Sequence, residues 1–143
     1  MKSKFGNAKY SRDELIDIIL SLGFSRDTVR GKGDHVLYSH ALYKDLKVNI
    51  PARKDLGSNE MSDICSCIII IMKILQLDTS VFKYKEGVVG KLRSTAKNAE
   101  KDICILFSTT VKNCLGVKTA EDIKNYIKLQ QEKLALANAS IKK

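Results

Sequence analysis

GSNEMSDICSCIIIIMKIL, Gly57 to Leu75, is the stretch on which the fold turns. Met61, Ile64, Cys65, Ile68, Met72 and Leu75 recur at helical spacing, and Ser58 stands where a capping hydroxyl would begin the helix. From Cys67 to Met72, however, the run is apolar on every side. A helix packed on one sheet alone would leave part of that run in water, so the pattern predicts a second layer over it. The chain beyond Gln76 is the candidate for that layer.

Upstream, Ser11 with Glu14 three residues on has the form of a capping box, and Tyr10 with Leu15 that of a hydrophobic staple. Leu15, Ile18, Ile19 and Leu22 form the apolar stripe of this helix, and Gly23 followed by Phe24 suits a left-handed helix ending. "DTVRGKG", "HVLYSH" and "LKVNIP" follow, each rich in β-formers and separated by turn residues, which predicts a three-stranded meander. In the third run Leu46, Val48 and Ile50 share one face, Lys47 and Asn49 take the other, and Pro51 ends ladder donation. The reading is thus an α+β protein, with an α-β-β-β-α lobe over residues 1–76. Downstream, "GKLRSTAKNAE" reads as a helix, "DICILF" as a buried strand, and "TAEDIKNYIKLQQEKLALA" as a helix capped at Thr119. These predict an α/β extension over residues 77–143 that packs on the second helix.

At 143 residues with 44% apolar content, the chain fits one domain, or a small domain with a substantial extension, and can fill a core. No apolar run approaches the ~18 residues of a membrane span, and "MKSKFGNAKY" lacks the apolar segment of a secretory signal. The expectation is a soluble, cytoplasmic protein that does not engage a membrane. Cys65, Cys67, Cys104 and Cys114 show no paired metal-ligand spacing and read as reduced thiols. Neither a metal nor another cofactor is predicted. Twenty-five basic residues against 16 acidic ones give a net charge of +9, which makes polyanions, and nucleic acid first among them, the expected partners.

The chain's two histidines begin and end the run that follows a glycine-rich turn in "VRGKGDHVLYSH", Val29 to His40. "LGF" closing the first helix, "GKGDH" ahead of an apolar-aromatic strand, "VNIPAR" as third strand and "LGSNEMSDI" opening the second helix come in a recognisable order. Over residues 11–75, about half of the chain, this order resembles HicA, the small toxin of HicA–HicB toxin–antitoxin systems. That resemblance implies a fold like a double-stranded RNA-binding domain and the activity of an mRNA interferase, an endoribonuclease held in check by a HicB-like antitoxin protein. It also implies that His35, on the histidine of the family's Gly-Ser-His motif, is catalytic, with Gly33 as the preceding glycine and Asp34 in place of the serine.

The chemistry agrees with that role. A histidine whose ordinary pKa is about 6.5 exchanges protons near neutrality, so it can activate a ribose 2′-hydroxyl or protonate the leaving oxygen without a metal. Arg30 and Lys32 are placed to hold the scissile phosphate, Gly33 lets the backbone of RNA come close, and Lys47 and Arg53 add to the basic face. His40 has the opposite strand parity from His35 and reads as a solvated loop residue, a zinc site with Asp34 being the lesser alternative. Tyr38 reads as a packing residue. A second function class stays open at this point, a non-catalytic RNA-binding or protein-interaction module on the same frame. So does a third, in which residues 77–143 form a separate nuclease lobe.

Overall fold

In the computed structural model of the chain, residues 9–26, 35–40, 46–51, 55–82 and 87–141 are described, with the side chains of 9, 35 and 137–141 outside that set. Strand β1 (Lys9–Ser11) leads into helix α1 (Arg12–Ser21), followed by β2 (Phe24–Arg26), β3 (His35–His40), β4 (Lys47–Pro51) and β5 (Asp55–Gly57). Helix α2 (Ser58–Leu75), α3 (Val88–Lys101), α4 (Thr109–Leu115) and α5 (Asp122–Ile141) complete the order, with 3₁₀ turns at Thr79–Val81 and Ile103–Leu106. The protein is therefore of mixed α+β class.

Strands β2, β3 and β4 form an antiparallel meander in that spatial order. Its pairing sets Phe24 opposite His40, Tyr38 opposite Val48 and His35 opposite Pro51. Leu46, Val48 and Ile50 are buried while Lys47 is half-buried and Asn49 exposed, as the alternation requires. The expected first strand, "DTVRGKG", lies outside the described residues; the strand that is described starts earlier, at Phe24, directly after Gly23. Gly23 has φ +102°, a conformation only glycine adopts cheaply, and it turns the chain from α1 into the sheet. A second, two-stranded ribbon pairs β1 with β5 and was not anticipated. Because its strands are antiparallel, α1 and α2 leave it from opposite ends.

The capping expectation at Ser11 holds in part, that at Ser58 fails and that at Thr119 holds. The Ser11 hydroxyl accepts from the Glu14 amide at 3.2 Å, but the Glu14 carboxylate turns away from its own helix and accepts from the Val88 amide at 3.1 Å. A carboxylate from α1 thus caps α3, where the helix dipole favours negative charge. Gly87, beside it, has φ +65°, and a Cβ there would lie 2.7 Å from a Glu14 carboxylate oxygen. At α2 the cap is Gly57, with Ser58 already in the first turn; Glu60 reaches back to accept from the Gly57 amide at 3.2 Å. Thr119 and Asp122 exchange hydrogen bonds ahead of α5, Asp122 N to Thr119 Oγ1 and Thr119 N to Asp122 Oδ2, as the predicted cap implies.

Cys67, Ile68, Ile69, Ile70, Ile71 and Met72 are all at most 3% exposed. Val88, Val89 and Leu92 of α3, Val111 and Leu115 of α4 and Ile123 of α5 belong to the same buried cluster as Leu15, Ile50 and the α2 isoleucines. The predicted cover is present. Its composition differs from expectation: "DICILF" is no buried strand but a 3₁₀ turn in which Ile105 is 56% exposed. The cause is Asp102, whose carboxylate accepts from the Cys104 amide at 3.0 Å and draws the chain into a turn. Among its described residues the extension is helical, not α/β.

Each fully buried isoleucine contributes about 1.5–3 kcal/mol relative to exposure. Uncovering four of them forfeits an amount comparable to the ~5–15 kcal/mol net stability of a domain. A chain truncated after Leu77 is therefore expected to aggregate or to lack a cooperative thermal transition; a monomeric, cooperatively melting fragment would contradict this account. Gly87→Ala is expected to cost about 1–2 kcal/mol from its positive φ alone, read as a lower urea midpoint, with the displaced Glu14 carboxylate adding to the loss.

Candidate functional site

Strand alternation puts positions 35, 37 and 39 of β3 and 47, 49 and 51 of β4 on one face of the meander, the face turned away from Tyr38, Val48 and Ile50. A cavity of about 380 Å³ opens beside this face, between β4, α2 and α4. Lys47, Asn49 and Pro51 line it from the sheet, Glu60, Asp63 and Cys67 from α2, and Thr110, Asn113 and Cys114 from α4. Leu37, Val48 and Ile64 supply apolar wall. Its size is within the usual range for a small-molecule site.

Hydrogen bonds fix this wall. The Cys114 thiol donates to the Lys47 carbonyl at 2.7 Å, tying α4 to the outer strand of the meander. The Thr110 hydroxyl donates to Asp63 Oδ2 at 3.3 Å, joining α4 to α2. The Cys67 thiol faces the Thr110 carbonyl at 4.0 Å, and the neighbouring Cys114 thiol, with burial, holds its pKa well above the ordinary range. Burial pushes Cys65 up to about 12. Neither of these two thiols is a thiolate at neutral pH.

Of the residues predicted from sequence, the structure brings Lys47 to the cavity wall. His35 is the first residue of β3, opposite the lining residue Pro51, with its side chain outside the described set. Arg30, Lys32, Gly33 and Arg53 lie outside the described residues. Sequence reading missed Glu60, Asp63, Thr110 and Asn113. A signal for the last two existed: Ser108 caps α4 by accepting from the Val111 amide at 3.2 Å, and Gly116, at φ +75°, ends it. For Glu60 and Asp63, three residues apart on α2, the pattern showed only a polar helix face.

His40 is corrected. It is 6% exposed rather than solvated, its Nε2 lies 3.0 Å from the Leu22 carbonyl, and its ring meets that of Phe24 edge-on at 5.1 Å. The ring fills the space that Gly23 leaves, since a Cβ at Gly23 would lie 2.6 Å from Nε2. Here it serves as packing, and among the described residues no group of three or more His, Cys, Asp or Glu converges on a metal position. No helix among them is long and apolar enough to cross a membrane.

Comparison with protein-family models, with curated proteins and with solved structures gives no match. The residues themselves must therefore carry any functional reading.

Burial lowers the pKa of His40 below its ordinary 6.5, against the opposing effect of the Leu22 carbonyl. The unfolded chain then binds the proton more readily than the folded one. The stability associated with neutral, buried His40 is complete above pH 6.5 and declines as the pH falls from there toward the lowered folded value. Urea unfolding is expected to show lower stability at pH 5.5 than at pH 7.5, and His40→Gln should shrink that difference. An unchanged difference would assign the pH dependence to other groups.

Proposed function

We propose that this chain is a metal-independent endoribonuclease of the HicA type, built on a fold like a double-stranded RNA-binding domain, and that His35 is its general acid-base. Arg30, Lys32, Gly33 and Arg53 receive the RNA backbone, and a HicB-like protein covering the basic face is the partner that such a toxin requires. One observation supports this reading above the others: the register of β3 against β4, which sets position 35 opposite Pro51 on the face that also carries Lys47 and Asn49. Lys47 and Pro51 are four residues apart on β4, roughly 13 Å at strand rise, so Lys47 meets a flanking phosphate rather than the one being cut. A net charge of +9 supplies the long-range attraction.

If the attacking group is the neighbouring 2′-hydroxyl, cleavage of a long RNA by the purified full chain persists in EDTA and leaves a 2′,3′-cyclic phosphate or its hydrolysis product. A 2′-deoxyribose at the cut position abolishes cutting. His35→Ala lowers the rate by about two orders of magnitude, the usual contribution of one positioned proton-transfer group, while RNA binding persists. Equal rates for wild type and His35→Ala, or cleavage that stops in EDTA, would remove this mechanism. RNA binding without any cleavage would leave a non-catalytic module as the better account.

A further inference from the structure

The cavity between β4, α2 and α4 leads to an inference that rests on the RNA reading above. In a protein with nine excess positive charges, its wall sets Glu60 and Asp63 against Lys47, the one cation among the described lining residues. An RNA phosphate would face two carboxylates there, so the backbone belongs elsewhere. The cavity suits a ligand that brings hydrogen-bond donors on a flat, weakly polar body, because Leu37, Val48, Pro51 and Ile64 offer apolar surface to a ring. Among the described residues Asp63 accepts one hydrogen bond, from the Thr110 hydroxyl to Oδ2, which orients the carboxylate and leaves further acceptor capacity.

Guanine alone among the four RNA bases presents two adjacent N–H donors, at N1 and N2, on its Watson–Crick edge. Adenine and cytosine place a ring acceptor beside the amino group, and uracil places its single N–H between two carbonyls. A carboxylate pairs with the guanine edge through two parallel hydrogen bonds and opposes an acceptor on each of the others. We infer that the cavity takes one unstacked guanine of the RNA, with its N1 and N2 donors on Asp63 and its O6 met by the side-chain amide of Asn113, while Lys47 at the rim stays free for the flanking phosphate. The guanine then lies beside Pro51, the strand partner of His35, which makes the cavity the specificity pocket of the proposed cleavage site.

Cys114 in the same wall provides a readout that does not depend on cleavage. With the full chain, guanosine 5′-monophosphate is expected to slow alkylation of Cys114 by iodoacetamide, followed by peptide mass spectrometry, while the adenosine, cytidine and uridine monophosphates at equal concentration do not. Asp63→Asn, which keeps the size of the side chain, should weaken guanosine monophosphate binding at least tenfold by calorimetric titration. Equal protection by all four nucleotides, preferential protection by another base, or none would overturn the assignment; this arm uses the wild-type chain and stands even if the variant folds poorly. In parallel, a uridine-only RNA and one containing guanine separate the two ideas. Binding of both alike would overturn the guanine pocket and keep the RNA reading. Protection by guanosine monophosphate with no RNA binding would keep the pocket and overturn the RNA reading.

Discussion

Burial of α2 between Cys67 and Met72 is the constraint on which the rest of the structure depends. Six consecutive apolar residues on a helix point in every direction, so no single neighbour can cover them. The protein surrounds the helix, which touches β4 and β5 from the N-terminal half of the chain and α3, α4 and α5 from the C-terminal half. The two halves of the chain consequently share one hydrophobic cluster, and the Glu14 carboxylate capping α3 stitches them together at the surface of that cluster. This explains why residues beyond Gln76 belong to the fold even though the α-β-β-β-α order is complete without them.

The same requirement produces the candidate site. Strand β4 is an outer strand of the meander, and an outer strand with unpaired carbonyls invites association with other chains. Helix α4, brought in to cover α2, lies against that edge, and the Cys114 thiol takes up the Lys47 carbonyl. Because α4 has only seven residues, it closes over the core at Val111 and Leu115 but leaves the gap beside Asn49 and Asp63 unfilled. The cavity is a product of how three elements meet rather than of any one of them.

Charge on this protein differs in reach. The basic excess of the sequence acts at long range, whereas Glu60 and Asp63 in the cavity wall act only at contact distance. In that wall the buried Cys67 thiol, its pKa raised, stays protonated at neutral pH. His40, held against Phe24 and the Leu22 carbonyl, closes the junction between α1 and the sheet.

Much of the fold was legible in the order of residues, because its signals are local. Ser11, Gly23, Thr119 and the alternation from Leu46 to Ile50 each act through hydrogen bonds or parity within a few residues, and the all-round apolar run at Cys67 to Met72 announced that a second layer must exist. What that layer was made of could not be read the same way: "DICILF" has a strand's composition, yet a single Asx contact from Asp102 makes it a turn. Of the candidate site, the strand faces of Lys47 and His35 were accessible from parity alone; their register came from the structure. Asp63, Thr110 and Cys114 were not, since they stand 47 or more residues from the partners they meet, and only packing brings them there. Hydrogen-bond chemistry within a turn is written in neighbouring letters; a cavity wall depends on which distant surfaces are pressed together when apolar area leaves water, and that is a property of the folded chain.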